Sequence, residues 1–550
     1  MMDSTTPPRD HFRIEGALRS ARFATALVIL GVALRVWAWA GNPTLSLDEI
    51  LLSRNILGLT STELVTQPLK LDQVAPRGFL LIEKAAVDVL GGNELALRLF
   101  PFLCGVAGVF LFRRLAERTL DGLAAPFALA LFAIGVPFIK YGAEVKQYSV
   151  DVTATVLLLV LALDLRRPNV STRRLALIGA IGFVVIWFSQ ASVLVMGGIG
   201  AALALQWLLS RDRPTGRALL ITIPLWAVAS AVAIIAGLRS MTPTTREFMD
   251  DFWRGGFVPF PLGLATGRWF WNQTLSLFTD PTLLHYGWPV VFAVAMLIGF
   301  VALWRSRRDV ALLLLGPMLA AIAAALAHQY PFRGRLMLYL VPIVVLAIAA
   351  GTELVRRSAS RLHPALGGAA MAALLVAPAI AIVDPLPPYE LEHHRTVLAY
   401  LQKNRRPGDV VYVFPLSRIG MLFYGPRYGL QPSDWTTAAC DRNDTRVFVR
   451  DVDRYRGTAR LWVLTSATPA YRTARLAVRG YLSTIGVRRD SLSLPSITGG
   501  ATLDLFDLSD PVRLESASAD AFPVQPMPTN PRPGCRPWVR PSPIDSFPRM

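Results

Sequence analysis

Long apolar runs alternate with short arginine-rich segments along most of this 550-residue chain. A helix needs about 20 predominantly apolar residues to cross the hydrocarbon of a membrane, and about eleven runs approach that length. The predicted spans are 22–40, 95–112, 123–139, 148–165, 175–190, 192–209, 218–238, 288–304, 310–327, 336–354 and 364–383. The sequence therefore predicts a polytopic α-helical membrane protein, with a tight hairpin around Ser189 between two of its spans.

The arginines between the spans predict the orientation. Loops rich in Lys and Arg stay on the cytoplasmic side, and every second loop is arginine-rich, as in 113–118, 166–174 and 305–308. The N-terminus is then cytoplasmic, and an odd number of spans places the residues after 384 outside. This distribution accounts for the net charge of +18 without a nucleic-acid partner. Arginine-heavy, lysine-poor usage is typical of a GC-rich bacterial genome, so we expect the inner membrane.

The first predicted span contains a possible cleavage site and a charged residue. Ala38-Trp39-Ala40 resembles a signal-peptidase site, so cleavage is an alternative to a retained anchor, which the bulky tryptophans favour. Arg35 is expected to extend toward the outer interface.

Unusual polar residues collect in the loops predicted to lie outside. Asp48 and Glu49 stand in PTLSLDEILL, residues 43–52, at the start of an amphipathic helix expected along the interface at 45–59. A second interfacial helix is predicted at 78–90, within the long outer loop 41–94. Lys146, Arg333 and Arg335 are cations on the side where the orientation rule disfavours them. Arg binds phosphate bidentately, and a carboxylate can deprotonate an acceptor hydroxyl. This combination indicates group transfer from a lipid-linked phosphate.

Each of these signals has a structural alternative. The acidic pair can cap the helix that it opens. Lys146 and Glu144 can be ordinary interfacial residues, and the two arginines can bind lipid headgroups. His328 more often has a structural role than a ligand role, and the tryptophans of 253–271 more often anchor at the interface than stack on sugars.

Four motifs carry a resemblance to a known family. They are SLDEILLSRNI (46–56), GGNELALRLFPFL (91–103), YGAEVKQYSVDV (141–152) and YPFRGRLMLYLVP (330–342). With these motifs the chain resembles the GT-C class of polytopic glycosyltransferases. The nearest pattern is that of protein O-mannosyltransferases and lipid A aminoarabinose transferases, which take sugars from polyprenyl-phosphate carriers.

The resemblance implies a role for each matching residue. Asp48 is implied to activate or orient the acceptor, with Glu49 beside it. Arg333 and Arg335 are implied to lie near the carrier phosphate. Glu144, Lys146 and Tyr148 match a Glu-x-(Arg/Lys)-x-Tyr cluster of the family, and we expect Lys146 to bind the donor phosphate as well. Many relatives carry a charged residue or histidine before Pro-Pro in the first outer loop, whereas this chain has Gln73-Val74-Ala75-Pro76-Arg77. Gln73 or Arg77 would have to substitute for that contact. The expected substrate-binding residues are Gln73, Arg77, Tyr141, Glu144, Tyr148 and His328.

The region after 384 changes character. Residues 385–520 predict a small extracytoplasmic α/β domain, with strands at 410–415, 459–466 and 501–508 and helices at 390–404, 417–424 and 470–485. We expect it to act as a lid or an acceptor dock for the catalytic domain, residues 1–384. Cys440 and Cys535 can pair in an oxidising compartment. Residues 521–550 form a proline-rich tail.

The functional prediction is an inverting glycosyltransferase that uses a polyprenyl-phosphate sugar and a lipid, polysaccharide or protein acceptor. The alternative is a transporter or lipid flippase, which would place ionisable residues near the bilayer midplane and often shows internal repeats. A catalytically inactive assembly subunit is a third reading. No cofactor is predicted, and the sequence does not support a divalent metal site.

Overall fold

The computed structural model describes residues 15–279, 288–383, 387–440, 444–466, 471–496 and 500–526. The chain divides into two compact units. The helical unit holds the chain up to Asn42 together with Leu59–Pro388, and the C-terminal unit holds Pro43–Gly58 together with Tyr389 onward. A short segment near the N-terminus therefore belongs with the end of the chain, and this segment contains the acidic pair.

Helices account for most of the described residues. In chain order they are α1 Ala21–Ala40, α2 Leu47–Gly58, α3 Ser61–Thr66, α4 Arg77–Leu90, α5 Glu94–Leu97, α6 Leu99–Thr119, α7 Ala124–Ile134, α8 Val136–Lys140, α9 Tyr148–Leu165, α10 Thr172–Val185, α11 Ser192–Ser210, α12 Arg213–Ser240, α13 Pro243–Phe252, α14 Leu264–Ser276, α15 Pro289–Ser306, α16 Arg308–Leu326, α17 Val341–Ser360, α18 Pro364–Val383, α19 His394–Asn404, α20 Ser417–Tyr424, α21 Thr445–Asp453, α22 Arg472–Ile485 and α23 Pro511–Leu514. A 3-10 helix, Gly334–Leu340, leads directly into α17.

The helical unit confirms the predicted polytopic architecture with fewer spans than expected. Among the described residues, 9 helices are long and apolar enough to cross a membrane. The number is 10 if α7 and the segment Val136–Ala143, which are joined by a bend, form one span. The predicted number of eleven is too high because the run at 175–190 is not one helix. Helix α10 has 14 residues and ends at Val185, and turn hydrogen bonds such as Ser192 N–H to the Ser189 carbonyl follow it.

Glycines allow two long helices of this unit to pack closely. A Cβ on Gly299 of α15 would overlap the carbonyl oxygen of Ala347 in α17, and a Cβ on Gly351 would overlap that of Ala295. Small residues at such contacts let membrane helices gain van der Waals contact along their backbones. This contact holds α17 in place. In the most apolar part of Gly334–Ser360, which joins the 3-10 helix to α17, 89% of the residues are buried.

Arg35 corrects one expectation from the sequence. Its side chain is 1% exposed and does not extend to the interface. The guanidinium donates to the carbonyls of Gly31 at 2.8 Å, Ala133 at 3.2 Å and Phe132 at 3.3 Å. Helix α7 ends at Ile134, so its last carbonyls lack helical partners. Arg35 satisfies two of them and thereby braces the bend that follows α7.

The C-terminal unit contains a mixed five-stranded sheet. Its strands are β1 Val410–Val413, β2 Thr436–Thr437, β3 Leu461–Ser466, β4 Val487–Leu494 and β5 Ala501–Asp507. The order is β2-β1-β3-β5-β4, with β2, β1 and β3 parallel and β5 antiparallel to both neighbours. Helices α21 and α22 share one apolar core with this sheet. The predicted α/β fold is confirmed, although β4 and α21 were missed because polar residues interrupt their apolar positions.

Helix α2 also differs from expectation. It was predicted to lie along the membrane interface, and it instead belongs to the C-terminal unit. Its Ile50, Leu52 and Ile56 are fully buried within protein. An apolar stripe along a helix looks the same in sequence whether lipid or protein covers it.

Part of the predicted tail and the predicted cysteine pairing involve residues outside the described ranges. Residues 384–386, at the predicted domain boundary, and 527–550, which include Cys535, are among them. Cys440 is disulfide-bonded, and its pairing with Cys535 stays a prediction.

Candidate active site

The acidic pair stands in the first turn of α2. Glu49 is 2% exposed, and its Oε2 accepts hydrogen bonds from the Ser46 amide at 2.9 Å and the Ser46 hydroxyl at 3.0 Å. A glutamate that reaches back in this way caps the helix N-terminus. The capping alternative therefore accounts for Glu49. Asp48 is half-buried, and its catalytic role stays a prediction.

Three acceptors from the far end of the chain hold the residues before α2. The Thr44 amide donates to Glu390 at 2.9 Å, the Leu45 amide to the Tyr424 hydroxyl at 2.9 Å and the Leu47 amide to Glu392 at 3.1 Å. Buried backbone donors require acceptors, so these three side chains fix the path of the chain into α2. Glu392 is itself in contact with His394 Nε2 at 2.8 Å. Sequence reasoning missed these residues.

In the helical unit, Lys146 lies just before α9 and is 7% exposed. Its ammonium group donates to Gln73 Oε1 at 2.9 Å. Gln73 follows Leu71 and Asp72, whose φ angles are 64° and 53°. Left-handed backbone is unfavourable for residues with a Cβ, so the surrounding structure holds this loop in place. Two residues predicted to contact substrate, 73 positions apart in the chain, are thus neighbours.

Arg335 lies against two aromatic rings. Its guanidinium carbon is 5.7 Å from the centre of the Tyr148 ring and 5.8 Å from that of Trp253. Tyr148 in turn meets Tyr141 edge to face at 5.1 Å. Aromatic faces attract the cation and hold its plane, which orients the N–H donors along its edge. The structure thus brings three predicted site residues together and adds Trp253.

Two further predicted cations lie beside glycines. Arg77 is half-buried at the start of α4, where the Gly78 amide donates to the Trp187 carbonyl at 2.8 Å. Arg333 is exposed and crosses Gly255 so closely that a Cβ there would overlap its guanidinium. Neither arginine makes an ion pair with any residue that the structure describes.

The remaining two predicted substrate-binding residues have structural partners. Glu144 pairs with Lys140 at 3.7 Å. The His328 ring stacks on Phe257 with centres 5.1 Å apart, and its Nε2 lies 3.0 Å from the Val258 carbonyl oxygen. These contacts hold in place the segment with the tryptophans of 253–271, here called the aromatic loop, in agreement with the structural alternative for His328.

A polar layer that the sequence did not reveal extends from this region into the spans. We define it as Gln147, Asp151, Ser189 and Ser192. Each has a buried oxygen with no hydrogen-bond partner among the described residues, and the Asp151 carboxylate lies beside the Ser189 hydroxyl. Unsatisfied buried polar atoms are rare in native structures. Single polar residues in apolar runs gave no pattern that could have identified the layer.

Tyr330 connects this layer to the segment that carries Arg335. Burial, and then the nearby charge of Asp151 and the neighbouring Tyr339 and Tyr148, raise the pKa of Tyr330 well above its ordinary value. The phenol therefore stays protonated at neutral pH, and its hydroxyl donates to the Leu336 carbonyl at 3.2 Å.

Two buried charged residues were also missed. Glu83 of α4 is fully buried, and neither of its carboxylate oxygens has a hydrogen-bond partner among the described residues. Burial raises the pKa of Glu83 well above its ordinary value. Arg98 is 1% exposed and contacts Asn42 Oδ1 at 3.3 Å. Both lie in stretches whose apolar neighbours made them look like ordinary helix positions.

The opposite ends of the spans present a different electrostatic arrangement. The arginine end is the end of the spans that carries Arg118, Arg166 and Arg356. The loop end is the region of Gln73, Lys146, Trp253 and Arg335. At the arginine end, carboxylates are paired with arginines. Asp164 binds Arg118 at 2.8 Å, Arg174 at 2.9 Å and Arg167 at 3.1 Å, Asp309 binds Arg166 at 2.5 Å, and Glu353 binds Arg356 at 2.7 Å. These carboxylates are therefore all engaged by arginines, which outnumber them at this end.

Across the described ranges, no group of three or more His, Cys, Asp and Glu side chains is arranged to hold an ion.

No family model matches the chain, and no curated protein matches it in sequence. In structure it is similar to GT-C glycosyltransferases. ArnT from Cupriavidus metallidurans in the apo state is 13% identical over 88% of this chain and 98% of that chain, with a TM-score of 0.47. The Archaeoglobus fulgidus oligosaccharyltransferase in its apo form is 13% identical over 87% and 74%, with a TM-score of 0.46. The structure of the same oligosaccharyltransferase in complex with zinc and sulfate is also similar, with a TM-score of 0.44. This chain spans only 60% of the length of the oligosaccharyltransferase in that structure. At these scores the likeness assigns no function.

Proposed function

We propose that this protein is a glycosyltransferase that moves a sugar from a polyprenyl-phosphate carrier to a lipid, polysaccharide or protein acceptor at the extracytoplasmic face of a membrane. One observation carries the proposal, namely the set of cations at the loop end. Arg335 lies between two rings and Lys146 lies against Gln73. Arg77 and Arg333 have no ion-pair partner among the described residues. These groups can receive an external anion.

The anion that fits best is a lipid-linked phosphate. Cations gathered at the ends of apolar spans are costly unless they serve a binding or transport function. Arginine matches the geometry of phosphate oxygens with parallel N–H donors. A polyprenyl chain holds its phosphate at the boundary between hydrocarbon and water, which is where the ends of spanning helices lie.

The proposed reaction is a single displacement. The acceptor hydroxyl oxygen attacks the anomeric carbon, and the bond from that carbon to the phosphate oxygen breaks. The electron pair stays on the polyprenyl phosphate, whose charge the cations stabilise as it develops. The hydroxyl proton passes to a carboxylate, for which we propose Asp48. Attack opposite the leaving group inverts the anomeric centre.

We propose the polar layer as the contact for the donor sugar. Its carboxylate and amide oxygens can accept hydrogen bonds from sugar hydroxyls, and its serine hydroxyls can donate them. Binding would satisfy buried oxygens that have no partner within the described structure. Tyr148 precedes Asp151 by about one helical turn and contacts Arg335, so α9 carries both a member of the polar layer and a ring that Arg335 contacts.

The test is sugar transfer in isolated membranes from a panel of radiolabelled polyprenyl-phosphate sugars. Wild type is compared with Asp48→Asn, Arg335→Gln and, as a matched control, Arg268→Gln, which removes an exposed arginine elsewhere in the aromatic loop. We expect transfer to fall by at least about 100-fold in Asp48→Asn, the range for loss of a general base. Arg335→Gln should also lose transfer, while Arg268→Gln keeps it.

Transfer at the wild-type rate by both Asp48→Asn and Arg335→Gln, with each protein inserted at normal levels, would refute the proposal. The fate of the label separates the alternative function. A flippase would move labelled lipid across the membrane with its sugar still attached, and a transferase would move the label to another molecule.

A further inference from the structure

The C-terminal unit contains a cavity between α22 and the sheet. Its volume is about 220 Å³. Its polar lining consists of Arg475 and Arg479 from α22 and of Thr465, Ser493, Thr502 and Asp504 from the strands. Two arginines and three residues with hydroxyl groups therefore line a partly open space beside the apolar core of this unit.

The one carboxylate in the lining is already engaged. Asp504 lies 3.4 Å from Arg479 and 3.7 Å from Arg488, and its Oδ1 accepts a hydrogen bond from the Ser491 hydroxyl at 2.6 Å. Within the lining, its single negative charge is matched by that of Arg479. The charge balance of the cavity then depends on Arg475.

Arg475 is half-buried and makes no ion pair with any described residue. Burial, and then the neighbouring charge of Arg472, lower the pKa of Arg475 from its ordinary value. A partly desolvated cation beside a like charge is unfavourable by itself. An anion in the cavity would relieve both effects by forming charge-assisted hydrogen bonds.

We propose that this cavity binds a small anionic ligand that also carries hydroxyl groups, of the sugar-phosphate or sugar-acid class. Arg475 contacts the phosphate or carboxylate, and the hydroxyls of Thr465, Ser493 and Thr502 contact the hydroxyls of the ligand. The cavity is smaller than the roughly 300 Å³ at which pockets for drug-sized ligands begin, so it accommodates about one sugar unit. None of its residues takes part in the proposed transfer reaction.

The test is isothermal titration calorimetry on the full-length protein in detergent. The probes are glucose 1-phosphate, glucuronate, inorganic phosphate and glucose. The variants are Arg475→Gln, Arg475→Lys and the control Arg472→Gln, which removes an exposed arginine one turn earlier on α22 and outside the cavity lining. Arg472→Gln therefore accounts for the general loss of one positive charge.

We expect glucose 1-phosphate or glucuronate to bind saturably to wild type and to Arg472→Gln. Arg475→Gln should weaken that binding by about tenfold or more, because a hydrogen bond to a charged group is lost. Arg475→Lys should retain part of the affinity. Thermal unfolding of each variant checks that the C-terminal unit is folded, so weaker binding cannot be attributed to unfolding.

Three outcomes would overturn the proposal. The first is no saturable binding of either sugar anion to wild type. The second is equal affinity in wild type and Arg475→Gln, or binding that is lost instead in Arg335→Gln, which would assign it to the helical unit. The third is equal affinity for inorganic phosphate and glucose 1-phosphate, which would leave no role for the three hydroxyls. Sugar transfer in membranes reports separately on the proposed function.

Discussion

Removal of one oxygen atom, in Tyr424→Phe, tests how the acidic segment is held. The Tyr424 hydroxyl accepts the Leu45 amide at 2.9 Å, and both residues are fully buried. Phenylalanine fills the same space without the acceptor. The change therefore removes the acceptor of a buried N–H and keeps the aromatic ring.

The magnitude follows from that unpaired donor. A buried N–H deprived of its acceptor costs about 1–3 kcal/mol. At 1.4 kcal/mol per tenfold change, local opening of the segment should become about 5- to 150-fold more favourable. The hydrogen bonds that Glu390 and Glu392 accept from the Thr44 and Leu47 amides remain and keep part of the segment in place. We therefore expect local loosening around the start of α2 and no unfolding of the whole unit.

Hydrogen exchange measured by mass spectrometry on the full-length protein detects this opening in peptides that cover 43–58. Exchange there should accelerate by the stated factor in Tyr424→Phe, while the strands of the sheet keep their protection. Tyr389→Phe is the matched control, because the buried Tyr389 hydroxyl has no hydrogen-bond partner among the described residues. Its removal should leave exchange unchanged. Unchanged exchange in Tyr424→Phe, or equal acceleration in both variants, would refute the reasoning.

Three further substitutions test other contacts. Burial alone would raise the pKa of Asp409, but hydrogen bonds, chiefly from Arg460 at 2.7 Å, outweigh it and lower the pKa. Folding thus favours the ionised form, so Asp409→Asn should cost about 2 kcal/mol in thermal unfolding at neutral pH, and the difference should shrink as pH falls below about 4. Gly299→Leu should lower thermal stability by about 3 kcal/mol or prevent insertion, whereas Gly197→Leu, whose Cβ would meet nothing within 4 Å, should not. Arg35→Leu should destabilise the folded protein in detergent by about 2 kcal/mol or more, since three carbonyls lose a charged donor; unchanged melting would contradict its role as a brace.

Local patterns predicted the features that depend on nearby residues. The spans follow from the length of the apolar runs, and α20 was predicted with its observed bounds of 417–424. In each case the signal lies within a few residues of the feature.

Features that depend on distant partners were not predictable. The sequence does not tell whether Glu49 contacts Ser46, and only the structure reveals the capping contact. The membership of α2 in the C-terminal unit depends on acceptors more than 300 positions away. Asp151 and Ser189 are single polar residues in apolar runs, and their proximity appears only after the helices have packed.

The three bonds that hold the acidic segment join residues 346, 379 and 345 positions apart. At the ordinary pace of synthesis, about 5–20 residues per second, the segment emerges roughly 20 to 75 s before its acceptors exist. The spans can insert during that interval, because each needs only its own apolar run. A stalled or prematurely ended chain would thus be inserted in the membrane with the surroundings of Asp48 still unformed. The ordering of this segment therefore waits until synthesis has passed residue 424, and the arrival of these acceptors sets the earliest moment at which it can occur.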